Sequence, residues 1–352
     1  MRKLPVFFLI DVSESMVGEP LQWVKKGMEH LIRGLKKNPY ALETVWIEII
    51  SFAGKAKVIE PYEELPLFYP PDFSIGGGTA LGRGLSFLMG EIDKHVKRSS
   101  INSKGDWKPL VFIFTDGQPT DNYEAVLSNW EKSHKSKCQT LIATLGDCCS
   151  TNLLNRIANE ALKIEDCDED SFDSYFKWMT DSIVKSSVQV SEGIEAKNGL
   201  AEIEKNDGLS KIDLNKPDHS NLAVDDNYTV LIGACQKTQE KYLIKYQKGV
   251  AYDPANPDDF EKVYRLNGAY RIDYKAYKEM SEDGAHCQVD SRYLRGVPAC
   301  PYCGSQHAVA VCQCGGIFCI DTSKQEQTCG WCGETGYYGV SDESFSIDRR
   351  LG

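Results

Sequence analysis

The sequence predicts an α/β fold with a doubly wound, mostly parallel sheet, followed by a small β-rich domain. Strand and helix patterns alternate through the first ~185 residues, which is typical of a parallel sheet covered by helices on both faces. Beyond Tyr228 the runs become short and β-like, and eight of the 13 cysteines lie from Cys287 to Cys332. We therefore expect a first domain over residues 1–188, a linker over 189–227 and a β-rich domain over 228–352.

The elements of the first domain follow from the spacing of its apolar residues. Residues 6–10 form an unbroken apolar run, as expected of a central strand buried on both faces. Residues 20–35 carry an apolar stripe at helical spacing. The same patterns predict strands at 6–10, 44–52, 110–115 and 140–145, and helices at 20–35, 81–96, 122–136, 153–160 and 172–186.

The second half of the chain has shorter elements. Residues 189–227 are polar and mix charges with Gly, Asn, Asp and Pro, which is typical of a linker. The runs that follow are rich in Tyr, Val and Ile, the residues that favour strands. Strands are predicted at 228–232, 241–246, 263–266, 307–311 and 317–320, the last two forming a hairpin that turns at Gly315-Gly316.

The composition limits the classes of partner. The chain has 51 acidic and 40 basic residues, a net charge of −11, so it repels nucleic acid and anionic membranes. No apolar stretch is long enough to span a bilayer. The apolar run at 5–10 is shorter than the roughly 7–15 residues of a secretory signal. We interpret this run as a strand and expect a cytoplasmic location.

Polar residues follow the predicted strands where ligands bind in doubly wound sheets. Asp11, Ser13 and Ser15 come directly after the first strand, and Asp116 follows the strand at 110–115. Thr79 follows three glycines at the start of a predicted helix. Because the carboxyl ends of parallel strands share one edge of the sheet, we expect these five side chains to meet. Their donors are all oxygen, which suits Mg²⁺ or Mn²⁺.

The same residues allow other interpretations. Taken singly, Asp11 or Ser13 is a common helix cap and Asp116-Gly117 a common turn. Phosphoryl transfer is an enzymatic alternative, with Asp11 as nucleophile. That chemistry needs a general acid two residues later, where this chain has Ser13, and the phosphate-binding P-loop pattern is absent from the sequence. Two carboxylates leave the shell of a divalent cation incomplete, so an Asp or Glu of a protein partner can complete it.

The order of these residues resembles the metal-ion-dependent adhesion site of von Willebrand factor type A (vWA) domains. The resemblance covers residues 1–188 and includes Thr115-Asp116-Gly117 as its last part. It implies that Ser13, Ser15 and Thr79 bind the metal directly. It also implies that Asp11 and Asp116 hold coordinating waters, and that the domain binds a partner rather than catalysing a reaction.

Clustered cysteines point to a second kind of metal site. Cys300-Pro-Tyr-Cys303-Gly and Cys329-Gly-Trp-Cys332-Gly each place two thiolates on one tight turn. Two such knuckles complete a tetrahedral zinc shell, as in a zinc ribbon, and such a shell supplies folding free energy. We favour these four cysteines as one zinc site. A redox role is the alternative for either knuckle alone.

Further cysteines leave the number of zinc ions open at one or two. Cys312, Cys314, Cys319 and His307 form a candidate second site, while a buried apolar thiol is an equal alternative for Cys319. Cys287 is another candidate ligand, and His286 is expected at the surface. The other five cysteines are interpreted as ordinary thiols, with Cys235 the one that would join the cluster: Cys138, Cys148, Cys149, Cys167 and Cys235.

A vWA domain followed by a cysteine-rich module resembles the TerY family of bacterial tellurium-resistance and stress systems. The C-terminal part resembles the TerY-C metal-binding domain. This resemblance implies a cytoplasmic, non-catalytic adaptor that acts with a serine/threonine kinase and a metal-dependent serine/threonine phosphatase. The alternative is a metal or redox sensor that acts through the C-terminal cysteines.

Overall fold

The chain folds as two units, each with its own sheet. The computed structural model describes residues 2–145, 149–165, 168–193, 200–202, 208–215, 227–253, 256–282, 287–338, 344 and 346–349. The first unit comprises Met1–Val12, Glu19–Phe73 and Thr79–Leu222. The second comprises Ala223–Gly352 together with two short segments, Ser13–Gly18 and Ser74–Gly78.

The first unit alternates strands and helices along the chain. Its elements are β1 (Leu4–Asp11), α1 (Glu19–Leu35), α2 (Pro39–Thr44), β2 (Val45–Phe52), β3 (Ala56–Glu64), α3 (Leu81–His95), β4 (Leu110–Thr115), α4 (Glu124–Ser133), β5 (Gln139–Leu145), α5 (Thr151–Ile157), β6 (Glu160–Ile164), α6 (Glu169–Ser191) and β7 (Leu209–Ile212). In the described residues the strands form one sheet in the order β3-β2-β1-β4-β5-β6-β7. The five central strands are parallel, and β3 and β7 are antiparallel at the edges.

Both faces of this sheet are covered, as the apolar strands predict. On β1, Phe7 and Leu9 join the core formed with α3, α4 and α5. Side chains alternate along a strand, so the neighbouring residues face the opposite layer, where Phe114 of β4 packs on Phe172 of α6 with ring centroids 5.7 Å apart. A Cβ on Gly27 of α1 would lie 1.9 Å from the Phe176 ring, so α1 needs glycine at this contact with α6. The predicted doubly wound fold is confirmed.

The structure differs from the predicted linker at 189–227. Helix α6 continues to Ser191, and β7 pairs antiparallel with β6. The indole of Trp178 donates a hydrogen bond to the Ala201 carbonyl at 3.0 Å, and Ile212 packs against the core of the first unit. A four-residue strand within a polar stretch is too short for its alternation to be distinguished from a loop.

The second unit contains ten strands and one α-helix in the part of the chain that the structure describes. These are β8 (Tyr228–Ala234), β9 (Lys241–Asp253), β10 (Asn256–Arg271), α7 (Tyr274–Met280), β11 (Cys287–Asp290), β12 (Leu294–Arg295), β13 (His307–Val311), β14 (Ile317–Ile320), β15 (Glu326–Thr328), β16 (Thr335–Tyr337) and β17 (Ser346–Arg349). The main sheet has the order β12-β10-β9-β8-β14-β13, and β11-β17 and β15-β16 form two small pairs.

The predicted hairpin is part of this main sheet. β13 and β14 are antiparallel, and Gly315 has a φ of +82°, which a glycine adopts without steric cost. β14 also pairs in parallel with β8. Across the described residues, every helix is too short or too polar to cross a lipid bilayer.

Candidate metal centres

The residues predicted for the oxygen site lie where strands and helices begin or end. Asp11 is the last residue of β1, Asp116 follows β4, and Thr79 precedes α3, all in the first unit. Ser13 and Ser15 lie in the segment Ser13–Gly18 of the second unit. All five residues are buried. Burial of so many oxygen donors is costly unless each finds a hydrogen bond or a cation.

Hydrogen bonds join some of these oxygens. The hydroxyl of Thr115 donates to Asp11 Oδ2 at 2.6 Å and so links the adjacent ends of β1 and β4. Ser13 Oγ and Ser15 Oγ lie 2.9 Å apart, within hydrogen-bond distance. The Asp11 carboxylate is therefore held in place by its neighbour, and the two serine oxygens point toward each other.

Thr79 differs from Asp11, Ser13 and Ser15 in the hydrogen bonding of its side chain. Its backbone amide donates to Thr120 Oγ1 at 3.0 Å, which fixes the backbone at this position. Its hydroxyl is fully buried and has no hydrogen-bond partner among the described residues. An unsatisfied buried hydroxyl costs about 1–3 kcal/mol, so a ligand that binds it is favoured. With the carboxylates of Asp11 and Asp116 as the other oxygen donors of the first unit, the chemistry of these residues fits a hard divalent cation.

Within the second unit, three residues hold the two short segments. Lys245 Nζ donates to the carbonyls of Ser15 and Val17, and the Tyr277 hydroxyl donates to the Glu14 carboxylate. Ser281 Oγ accepts a hydrogen bond from the Gly77 amide at 2.7 Å. The sequence gives no signal for these contacts, because their partners are more than 200 residues apart.

The first thiol cluster comprises Cys235, Cys300, Cys303 and Cys319. Their sulfurs all lie within 4.8 Å of one another, and those of Cys303 and Cys319 are 3.6 Å apart. Four Zn–S bonds of about 2.3 Å in a regular tetrahedron place the sulfurs about 3.8 Å apart. A disulfide needs about 2.05 Å. The sulfur geometry therefore fits a tetrahedral zinc ion.

The second thiol cluster comprises Cys312, Cys314, Cys329 and Cys332. The Cys312–Cys332 and Cys314–Cys329 sulfur pairs are 3.7 and 3.9 Å apart. Cys314 and Cys332 are exposed, whereas the first cluster has no exposed member. The Tyr338 hydroxyl donates to Cys312 Sγ at 3.4 Å and lowers the pKa of that thiol to about 6. A lower pKa increases the fraction of thiolate, which is the form of cysteine that binds metals.

This grouping corrects the predicted zinc site. The two knuckles were expected to share one ion, but Cys300 and Cys303 belong to one cluster and Cys329 and Cys332 to the other. Strand β14 explains the division, because its side chains alternate between two apolar clusters. Ile317 and Cys319 pack with Cys235 and Cys300. Phe318 and Ile320 pack with Cys312 and Cys329.

Several candidate residues stand outside both clusters. His307 begins β13, opposite Ile320, and belongs to neither group. His286, the side chain of Cys287, Cys148 and Cys167 lie outside the part of the chain that the structure describes. Cys138 is buried in the core of the first unit, as expected of an ordinary thiol.

Cys235 belongs to the first cluster, as the sequence allowed for this cysteine alone among the five outside the C-terminal run. In each C-x-x-C-Gly knuckle the first cysteine's amide donates to the carbonyl five residues on, and its carbonyl accepts from the glycine amide four residues on. Cys235 makes the same two bonds, with Glu240 and Gln239. It therefore begins a third knuckle, in which Thr238 replaces the second cysteine and Gln239 the glycine. Cys319, from β14, supplies the missing thiol.

Comparison with known families identifies both halves of the chain. Residues 6–174 match the von Willebrand factor type A domain, and residues 225–352 match the TerY-C metal binding domain. The chain therefore combines a von Willebrand factor type A domain with a metal-binding C-terminal domain, and these two domains support a metal-dependent interaction module. More particularly, it has the TerY-like arrangement of an N-terminal vWA domain and a C-terminal TerY-C domain.

Individual proteins resemble this chain more distantly. A von Willebrand factor A domain-containing protein of Dictyostelium discoideum is 28% identical over 158 residues, which cover 45% of this chain and 17% of that protein. A von Willebrand factor type A structure from Catenulispora acidiphila is similar over 52% of this chain and 43% of its own, at 16% identity and a TM-score of 0.38. The ArnB paralog VWA2 from Sulfolobus acidocaldarius is similar over 80% and 70%, at 11% identity and a TM-score of 0.37.

Proposed function

We propose that this protein is a non-catalytic adaptor that binds a protein partner through Mg²⁺ (or Mn²⁺) held by Asp11, Ser13, Ser15, Thr79 and Asp116. The metal would offer an open coordination position to a carboxylate of the partner. The chain's own hydroxyl and carboxylate oxygens would hold the metal and leave that position to the partner. No covalent step is proposed, since Ser13 stands where a phosphoryl-transfer enzyme needs its general acid.

The buried hydroxyl of Thr79 carries this proposal. Most buried hydroxyls are hydrogen-bonded, so an unsatisfied one at a position that the sequence assigns to a metal site supports a ligand role there. Thr79 keeps an unsatisfied Oγ1 on a backbone fixed by Thr120. In this proposal, Thr79 Oγ1 gains a bonding partner when the cation binds.

We assign zinc to the two thiol clusters, one ion in each, in a structural role. Members of both clusters lie within the apolar cores of the second unit, including Cys300, Cys319 and Cys329. Loss of the metal would leave the four thiols of each group without the ion that they bind. Because zinc binding contributes folding free energy directly in such domains, we propose that zinc stabilises the TerY-C fold.

The partners we propose are a serine/threonine kinase and a metal-dependent serine/threonine phosphatase. The TerY-like domain arrangement supports this proposal. In such a circuit the adaptor would act in the cytoplasm, in a bacterial stress or tellurium-resistance response. The required chemistry on the partner is an exposed Asp or Glu that can bind the cation.

The test is capture of partners from a native extract in Mg²⁺, comparing the wild type with Thr79→Val. Valine keeps the shape of threonine and removes the hydroxyl. We expect the variant to retain at most about a tenth of the captured partner. A tenfold weaker affinity corresponds to a loss of about 1.4 kcal/mol of binding free energy. Thr140→Val is the matched control, because Thr140 on β5 also has a fully buried, unsatisfied hydroxyl but lies outside the predicted site. Equal capture by all three proteins would rule out the adhesion site.

The second candidate function is a metal or redox sensor, and the exposure of Cys314 and Cys332 favours it. A sensor would release the zinc of the second cluster on mild oxidation, while the first cluster, with no exposed thiol, keeps its zinc. The measurement is zinc release to a colorimetric chelator during peroxide titration, with partner capture followed in parallel. Zinc release without a change in the amount of captured partner would contradict the sensor function and leave the clusters with a structural role alone.

A further inference from the structure

A third group of metal-binding side chains lies in the first unit, within the sheet and helix layer. It comprises Glu48 on β2 and Glu91 and His95 on α3, and their ligand atoms all lie within 4.8 Å of one another. His95 Nε2 is 3.2 Å from Glu91 Oε2 and 3.9 Å from Glu48 Oε2. Glu91 and His95 are one helical turn apart, so both can face the same point.

Glu48 is the unusual member of this group. It lies in the middle of a parallel strand, directly opposite Phe7 of β1, and its side chain is only 1% exposed. Neither carboxylate oxygen accepts a hydrogen bond from a donor in the described residues. A buried carboxylate without donors is neutralised by a proton or by a cation: burial, together with Glu91, raises the pKa of Glu48 to about 8, and a bound metal would displace that proton. Its Oε2 points toward His95, where a cation would sit.

The surrounding side chains leave the group open on one side. The ring of Tyr62 stacks on His95 at 4.6 Å between centroids and fixes the imidazole plane. His95 is 24% exposed and Glu91 14% exposed, so solvent reaches the group from the helix side. Lys94 pairs with Glu91 at 2.9 Å but is itself 61% exposed, so its ammonium stays in water if a metal takes that oxygen.

We propose that Glu48, Glu91 and His95 form an additional site for a first-row divalent transition metal such as Zn²⁺. Bonds of about 2.1 Å from a tetrahedral metal separate its ligand atoms by about 3.4 Å, close to the 3.2 and 3.9 Å measured from the imidazole nitrogen. The imidazole disfavours Mg²⁺ and Ca²⁺, which take oxygen ligands. Two carboxylates balance the charge of the ion, and a solvent molecule on the open side completes the shell.

The test is calorimetric titration of Zn²⁺ into the full chain with its thiol clusters already loaded and with excess Mg²⁺ present. The variants are Glu48→Gln and His95→Gln. Asp93→Asn is the matched control, because Asp93, also on α3, pairs with His134 at 3.3 Å but belongs to no group of three ligands. We expect one further Zn²⁺ to bind the wild type and the control, and at least about tenfold weaker binding to both variants.

A second measurement separates loss of the site from loss of the fold. Added Zn²⁺ should raise the thermal midpoint of the wild type and of Asp93→Asn, and leave that of Glu48→Gln unchanged. Glutamine has the shape of Glu48 without its charge, so this variant is expected to fold and to keep the zinc of the thiol clusters. The proposal is overturned if the wild type binds no further Zn²⁺, or if Glu48→Gln and His95→Gln bind it as the wild type does.

Discussion

At the scale of single residues, two buried side chains of the first unit support the proposed metal sites. Thr79 and Glu48 are both buried. The Thr79 hydroxyl and the two Glu48 carboxylate oxygens have no hydrogen-bond partner among the described residues. Such groups are costly in a folded protein, and a bound cation can supply the partner that they lack. Asp11 shows the contrast, since its carboxylate accepts a hydrogen bond from Thr115 at 2.6 Å.

The sequence predicts the residue types at these positions unequally. Asp11, Thr79 and Asp116 stand out because each follows or precedes a recognisable element. Cys235 was a candidate to join the cluster but not recognisable as part of a knuckle, because Thr238 and Gln239 replace the cysteine and glycine that define one. Only the backbone hydrogen bonds reveal that Cys235 occupies a knuckle.

Gln239 provides a prediction about stability at a single residue. Its φ is +61°, and it is the only non-glycine with a positive φ in the described residues. The equivalent residues of the other knuckles, Gly304 and Gly333, have φ values of +74° and +76°. Because the left-handed conformation costs a non-glycine residue roughly 1–2 kcal/mol, Gln239→Gly should raise the free energy of unfolding by about 0.5–1 kcal/mol.

The measurement is chemical denaturation of the full chain, with Lys237→Gly as control. Lys237 lies in the same exposed turn but has no positive φ, so glycine there should be neutral or destabilising. A destabilised Gln239→Gly protein would contradict the assignment of a third knuckle.

Strand β14 decides how the cysteines divide at the scale of an element. Its alternation places Cys319 in the apolar cluster of Cys300, and Phe318 in that of Cys329. Spacing along the chain suggested that the two knuckles share one ion. Each knuckle instead lies beside cysteines from elsewhere in the chain, and the alternation of β14 places Cys319 with the knuckle of Cys300.

Zinc counting in cysteine variants tests this division. Cys303→Ser and Cys332→Ser should each retain one zinc ion, and the double variant none, because each removes a ligand of a different cluster. Cys149→Ser is the control, since Cys149 belongs to neither cluster and should retain both ions. Elemental analysis of the purified proteins gives the counts. If one ion were shared by the two knuckles, either single variant would lose it, and the double variant would lose no more than the single ones.

The elements of the fold were predictable to different degrees. The strands β1 and β4 are apolar on both faces and were placed correctly within two residues by composition alone. The short strands β6 and β7 lack such runs and owe their place to pairing with neighbours that are distant in sequence. Helix α7 also escaped prediction, because it has only seven residues and its two tyrosines suit a strand as well.

At the scale of the whole chain, the two halves offer metal-binding groups of different chemistry. The oxygen donors of the vWA half suit a hard cation that exchanges and can bind a partner. The thiol clusters of the TerY-C half suit zinc that is held tightly as part of the fold. The two roles can therefore be separated experimentally by changing the concentration of one metal while the other stays bound.

The most direct test is a Mg²⁺ titration of partner affinity at constant zinc. The full chain is dialysed into Mg²⁺-free buffer without a chelator, and its affinity for the captured partner is measured as Mg²⁺ is added back. Zinc is counted in the same samples. We predict an affinity gain of at least about tenfold with Mg²⁺, two zinc ions per chain throughout in the thiol clusters, and no gain for Thr79→Val. An affinity that does not change with Mg²⁺ while zinc remains bound would contradict the account.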